Sequence, residues 1–181
     1  MIAAIRLRGK GKGAEGNGAL KLADLLDDAV LVRARTLAKI MEAASKAAGA
    51  GSLEFWHELG EEAGEGMASL LIAKMKTKRA RIVKFLLGEA RSAGWGKITY
   101  CGRRFGGIDG TLRIEDSPLL RIDPTGGACQ LYRGYVEGFL KKIRGSGAVS
   151  CSESSCVRKG SPFCELVIEK GRESWLRSVI T

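Results

Sequence analysis

Two stretches, CQLYRGYVEGFLKKIRG (129–145) and SESSCVRKGSPFC (152–164), decide how this chain reads. Together they supply four side chains able to hold a divalent metal: Cys129, Glu153, Cys156 and Cys164. Thiolates and a carboxylate are ligand types that tetrahedral Zn²⁺ accepts. Glu153 and Cys156 lie three residues apart on one local turn, and Cys164 follows eight residues later, beyond a loop containing Gly160 and Pro162. Cys129 belongs to a separate segment, so an ion here would staple a helix end to a loop and a strand. The paired C-x2-C knuckles of ordinary zinc fingers are absent. Cys151, two residues before Glu153 on the same strand face, is a competing thiolate. The plainer alternative is that Cys156 and Cys164 are small buried apolar residues.

The first stretch is also an amphipathic helix. Tyr132, Tyr135, Val136, Phe139, Leu140 and Ile143 recur at helical spacing, with Cys129 at the edge of their face. Gly134 and Gly138 sit one turn apart, and so do Gly60 and Gly64 in an earlier helix. A glycine inside a helix costs roughly 1 kcal/mol against alanine. The Gly60–Gly64 pair predicts that another backbone approaches closely there, and Gly134–Gly138 is a second pair of the same kind.

Cys129, Gly134-Tyr135 and Gly138-Phe139, followed by Glu153-x2-Cys156-x3-Gly160-x3-Cys164, resemble the C-terminal signature of the 4-vinyl reductase (4VR) domain family. The resemblance spans about residues 30 to 170 and is sharpest from Gly126 to Ile168. It implies the fold of the nitric-oxide-sensing haem domain and of Golgi transport-particle subunits: α+β, an antiparallel sheet packed against several helices, with a zinc-stapled C-terminal part. It assigns the ligand set Cys129, Glu153, Cys156 and Cys164 to Zn²⁺. It further implies a homodimer, and an apolar pocket for a small hydrophobic or aromatic molecule between helices and sheet. Phe85, Trp95, Tyr100, Tyr132, Tyr135 and Phe139 are candidates to line it, although an aromatic at helical spacing is core by default. The phenol-responsive relatives use a pocket histidine; His57 is the only histidine here and lies well upstream, beside Trp56, where a half-buried packing role is the plainer reading.

Outward from this region, the chain divides into a Gly- and Lys-rich basic arm (1–18) and a single domain (19–181). Residues 19–48 permit either one long helix or a strand over 30–32 followed by a helix from about Thr36; periodicity leaves both open. Ser52 is placed to N-cap the next helix. Another helix spans about 78–93 and stops at Gly94. Alternating runs at 97–102 and 111–116, separated by the turn residues Gly106, Gly107 and Asp109-Gly110, form a hairpin. Strands are expected over 147–152 and 163–169, and a short amphipathic helix over 172–179.

At 181 residues, with 45% hydrophobic and 28% charged residues, the chain has ordinary globular composition. No apolar run approaches the ~20 residues of a membrane-spanning helix, and no signal peptide is visible, so a cytoplasmic location and free or metal-bound thiols are expected. The net charge of +10 allows weak, nonspecific nucleic-acid association. The basic segments lack interleaved aromatics, and no helix-turn-helix or finger motif appears. The reading favoured is a non-enzymatic, zinc-containing sensor or carrier domain for a small hydrophobic ligand. The alternatives are an accessory protein or enzyme of tetrapyrrole vinyl reduction, or a basic nucleic-acid-associated regulator. No G-x-G-x-x-G after a strand is present for a nicotinamide or flavin.

Overall fold

Residues 32–102, 110–145 and 149–170 are described in a computed structural model. The elements run α1 (Ala34–Ala48), α2 (Ser52–Met75), α3 (Arg79–Glu89), β1 (Lys97–Cys101), β2 (Gly110–Glu115), α4 (Pro118–Ile122), α5 (Gly127–Arg144), β3 (Val149–Ser155) and β4 (Cys164–Lys170). The four strands form one antiparallel sheet in the order β1-β2-β4-β3. This is the expected α+β class. The basic arm, most of the 30–32 strand and the 172–179 helix lie outside the described residues.

Helices α2 and α5 carry the fold. A Cβ placed on Gly60 or Gly64 would collide with the main-chain carbonyls of Leu131 and Tyr135. A Cβ on Gly134 or Gly138 would collide with the carbonyls of His57 and Glu61. Each helix therefore presses its backbone into the glycine notches of the other, as the mid-helix glycines predict.

Around this crossing the buried side chains form two separate clusters. One joins α1, α4, the Cys129–Tyr132 end of α5 and the inner face of the sheet, through Met41, Trp56, Leu112, Ile114, Leu119, Leu120, Leu166 and Ile168. The other joins the C-terminal half of α2 to α3 and the far end of α5, through Ala68, Leu71, Ile82, Val83, Phe139 and Ile143. On the inner sheet face, Leu112 is paired with Leu166, Ile114 with Cys164 and Cys151 with Ile168. β3 is an edge strand, and the buried Glu137 carboxylate on α5 accepts a hydrogen bond of 2.7 Å from its Cys151 amide. That contact covers part of an edge that would otherwise be left unpaired.

Two local expectations differ. Ser52 is inside α2 rather than its cap: the 3₁₀ turn Gly49–Gly51 delivers the chain already helical, and Gly51 takes the cap position. The 118–122 helix was not anticipated, because five residues give too short a period to detect. Its signal is Ser117-Pro118: the Ser117 hydroxyl accepts the Leu120 amide while proline fills the first helical position.

The glycine seam yields a contrast. Gly64→Ala and Gly134→Ala should each destabilise the protein by about 1–3 kcal/mol, because backbone must move to admit a methyl group. Gly66→Ala and Gly88→Ala meet open space on exposed helix surface and should stabilise by up to ~1 kcal/mol. Urea denaturation of the four variants measures both signs.

Candidate functional site: a thiol cluster beside an apolar cavity

The start of α5 is held in place by its preceding loop. The buried Asp123 carboxylate accepts the Ala128 amide at 2.8 Å and the Thr125 amide and hydroxyl at 2.9 and 2.7 Å. The Thr125 hydroxyl in turn accepts the Gly127 amide at 3.1 Å. These bonds satisfy the free amides of the first turn, where Cys129 projects. Opposite it, Cys156 follows the end of β3, and the 3₁₀ turn Val157–Lys159 closes at Gly160, whose φ of +88° is the left-handed conformation glycine adopts readily. The Cys156 carbonyl accepts the Lys159 and Ser161 amides, folding the loop back so that β4 opens with Cys164.

Three thiols thereby converge from two distant segments. The Cys129 and Cys156 sulfurs are 3.5 Å apart, the Cys156 and Cys164 sulfurs 3.9 Å, and all three lie within 4.8 Å of one another. All three residues are buried. The Val157 amide donates to Cys164 Sγ at 3.4 Å. Hydrogen bonding from Cys129, with help from that amide, lowers the Cys164 pKa to about 6 against the opposing effect of burial. The same hydrogen bond pushes the Cys129 thiol well up, with burial adding to it, and burial raises Cys156. Three convergent sulfurs are a donor set suited to a soft or borderline divalent ion.

Glu153 lines the same small recess as Cys129 and Cys156, together with Arg158 and Lys159. Its carboxylate accepts a hydrogen bond of 3.0 Å from Lys159. Arg158 donates to the Pro124 carbonyl at 2.9 Å and lies against Gly126. Arg133 Nε lies 4.0 Å from the Glu137 carboxylate. Cys151 is buried on the inner sheet face, outside the converging trio; burial raises its thiol pKa to about 12. Cys101 is exposed.

The gap between the two core clusters is a cavity of about 470 Å³. Of the aromatics expected to line it, Trp95, Tyr100, Tyr132, Tyr135 and Phe139 do so. Phe85 does not; it packs against the Leu71–Ile82 cluster from α3. Trp95 meets Tyr132 edge-on at 5.3 Å and stacks with Tyr135 at 6.1 Å, which in turn stacks with Phe139 at 6.3 Å. The Tyr132 hydroxyl donates to the Trp95 carbonyl at 2.7 Å and lies 2.9 Å from the Ser117 hydroxyl, so it is satisfied within the wall. Burial raises the pKa of both Tyr132 and Tyr135. Sequence reasoning missed the contributions of Ala63, Met67, Leu86 and Ile98, and above all of Arg79 and Arg144, the two charged residues of the lining. Nothing in their spacing marks the arginines, which fall among other basic residues at helix ends.

His57 faces away from this cavity lining. Its Nε2 is 3.1 Å from Glu137 Oε2, and Glu61, one turn along α2, is paired with Lys141.

No family model matches the chain, and no curated protein matches it in sequence. Solved structures do match in three dimensions. The phenol-responsive sensory domain of the transcription activator PoxR, with phenol, superposes with a TM-score of 0.64 at 16% identity, over 78% of this chain and 76% of that one. An H-NOX protein from S. oneidensis, in the Fe(II)NO state, gives 0.54 at 17% identity over 82% and 87%. A vinyl-4-reductase family protein from Methanocaldococcus jannaschii gives 0.51 at 14% identity over 80% and 85%. The chain has the fold these proteins share, as the 129–164 region implies; at such identities the fold is what is common.

Proposed function

We propose that this protein is a non-catalytic receptor for a small, largely apolar molecule. Residues 19–181 form its ligand-binding unit, and a zinc ion at the thiol cluster is a structural staple beside the pocket. The observation that carries this reading is the cavity between the two core clusters. Protein interiors pack with few voids larger than a water molecule. A gap of about 470 Å³ walled by aromatic and aliphatic side chains has the size and character of a small-molecule site. Among the described residues its lining contains no carboxylate, histidine or cysteine. Most haem proteins hold the iron through histidine or cysteine, so the lining fits an organic ligand better than haem. PoxR's phenol, bound on the same fold, supports the reading in kind.

For the zinc, Cys129, Cys156 and Cys164 supply three thiolates, and Glu153 is the fourth ligand. Four protein ligands leave no position for substrate, which makes the ion structural. Bound there, it would tie α5 to the β3–β4 hairpin. The four buried, unpaired cysteines suit a reducing compartment such as the cytoplasm. Among the described residues, no helix is long and apolar enough to cross a membrane. A second copy of the chain would cover the exposed apolar residues Ile40, Phe55 and Leu59 on α1 and the start of α2.

Three outcomes test this reading. Metal analysis of purified protein should find one zinc per chain, lost in Cys156→Ser and Cys164→Ser together with several kcal/mol of stability. Cys101→Ser and Cys151→Ser should retain it; Glu153→Gln should bind it more weakly, and full-strength binding there would remove Glu153 from the set. Nile red should bind the cavity with enhanced fluorescence and be displaced from wild-type protein by apolar competitors. Ala63→Phe fills the cavity from α2 and should cut Nile red affinity at least tenfold; unchanged affinity would place the dye elsewhere. Light scattering should report a dimer that Phe55→Glu dissociates, and a wild-type monomer would dismiss that interface.

A further inference from the structure

The cavity is apolar but not neutral. Its two charged lining residues, Arg79 at the start of α3 and Arg144 at the end of α5, are both cationic. The Arg79 guanidinium lies against Gly145, the residue following Arg144, so the two groups occupy the same end of the cavity. Arg144 Nη1 is buried and has no hydrogen-bond partner among the described residues. A buried, charged donor without a partner is costly, and native structures rarely leave one so. Two guanidiniums at one rim, with no carboxylate among the described residues of the lining, also repel each other. The first turn of α3 contains no acidic residue, and its cap residue Lys78 makes no side-chain capping bond. The amides that begin α3 therefore add positive potential at the same rim. The opposite end, at Trp95, Tyr100, Ile98 and Leu112, offers carbon and aromatic rings.

A neutral hydrocarbon would fill the aromatic end and leave the Arg144 N–H orphaned. We infer that the ligand is an amphiphilic anion: an apolar body lying along α5 toward the aromatic end, with a single carboxylate head between Arg79 and Arg144. Carboxylate and guanidinium match in charge and in the spacing of their paired oxygens and N–H groups, so one head satisfies both arginines. This inference rests on the receptor reading and adds the class of ligand to it.

The test compares two probes of equal chain length, decanoate and 1-decanol, by displacement of Nile red from the full-length protein. Decanoate is expected to bind wild-type protein at least tenfold more tightly than decanol at pH 7.5 (a chosen assay pH, above ~5, where an alkyl carboxylate is ionised). In Arg144→Gln and in the more exposed Arg79→Gln, the preference should fall severalfold while decanol affinity stays at its wild-type value, which also shows that the cavity is intact. Equal binding of the two probes to wild-type protein would overturn the anionic head and leave the apolar receptor standing. If neither displaces the dye, the receptor reading falls as well, and this inference with it. A decanoate preference that both variants retain would assign the anion to other residues and refute the site.

Discussion

The contact on which everything else depends is made between two backbones. At the α2–α5 crossing, four glycines remove the side chains that would normally hold two helices 8–10 Å apart. Carbonyls of each helix fill the notches of the other. The arrangement sacrifices helix propensity at four positions, and it is kept only if the close approach returns more than that cost. What it returns is a fixed position for α5, the helix that contributes to every part of the site.

Along α5 the functions follow one another in sequence. Cys129 in the first turn faces the β3–β4 hairpin; Tyr132, Tyr135 and Phe139 wall the cavity; Arg144 closes the last turn. At 1.5 Å per residue these fifteen positions span about 22 Å, so one rigid element sets the distance between thiol cluster and cationic rim. Glu137 serves a different purpose on this helix, accepting the edge-strand amide of Cys151 and facing His57 across the seam. The first turn anchored by Thr125 and Asp123 and a glycine seam along the middle leave α5 little freedom to rotate, and its cavity-facing stripe keeps its aim.

Much of this was legible in the residues. The period of the Tyr132–Ile143 stripe placed the helix; two alternating runs on either side of glycine-rich turn residues placed a hairpin; paired glycines announced the close crossing. The thiols of the two stretches, Cys129 in one and Cys156 and Cys164 in the other, with Gly160 supplying a left-handed turn, anticipated the three that converge. The parts that were not legible are those decided by three-dimensional neighbours. Phe85 has the same local signature as Phe139, yet one packs from α3 against the Leu71–Ile82 cluster and the other lines the cavity. Arg144 is one of several basic residues near the end of α5, and only its buried, unpartnered Nη1 sets it apart. Ser52 carries the preference of a cap residue, but the preceding 3₁₀ turn had already begun the helix. Glu153 is the intermediate case: the strand brings it to the recess, where Lys159 is its visible partner.

The glycine seam also sets how the cavity can accommodate guests of different bulk. Two walls, α2 and α5, meet backbone to backbone and have no rotamers to rearrange, so they cannot part without breaking that contact. The facing wall is the short helix α3, joined to α2 through Lys76, a non-glycine residue held in the left-handed conformation at a φ of 46°. Any widening of the cavity would therefore fall to α3 or to the sheet face that carries Ile98, Tyr100 and Leu112.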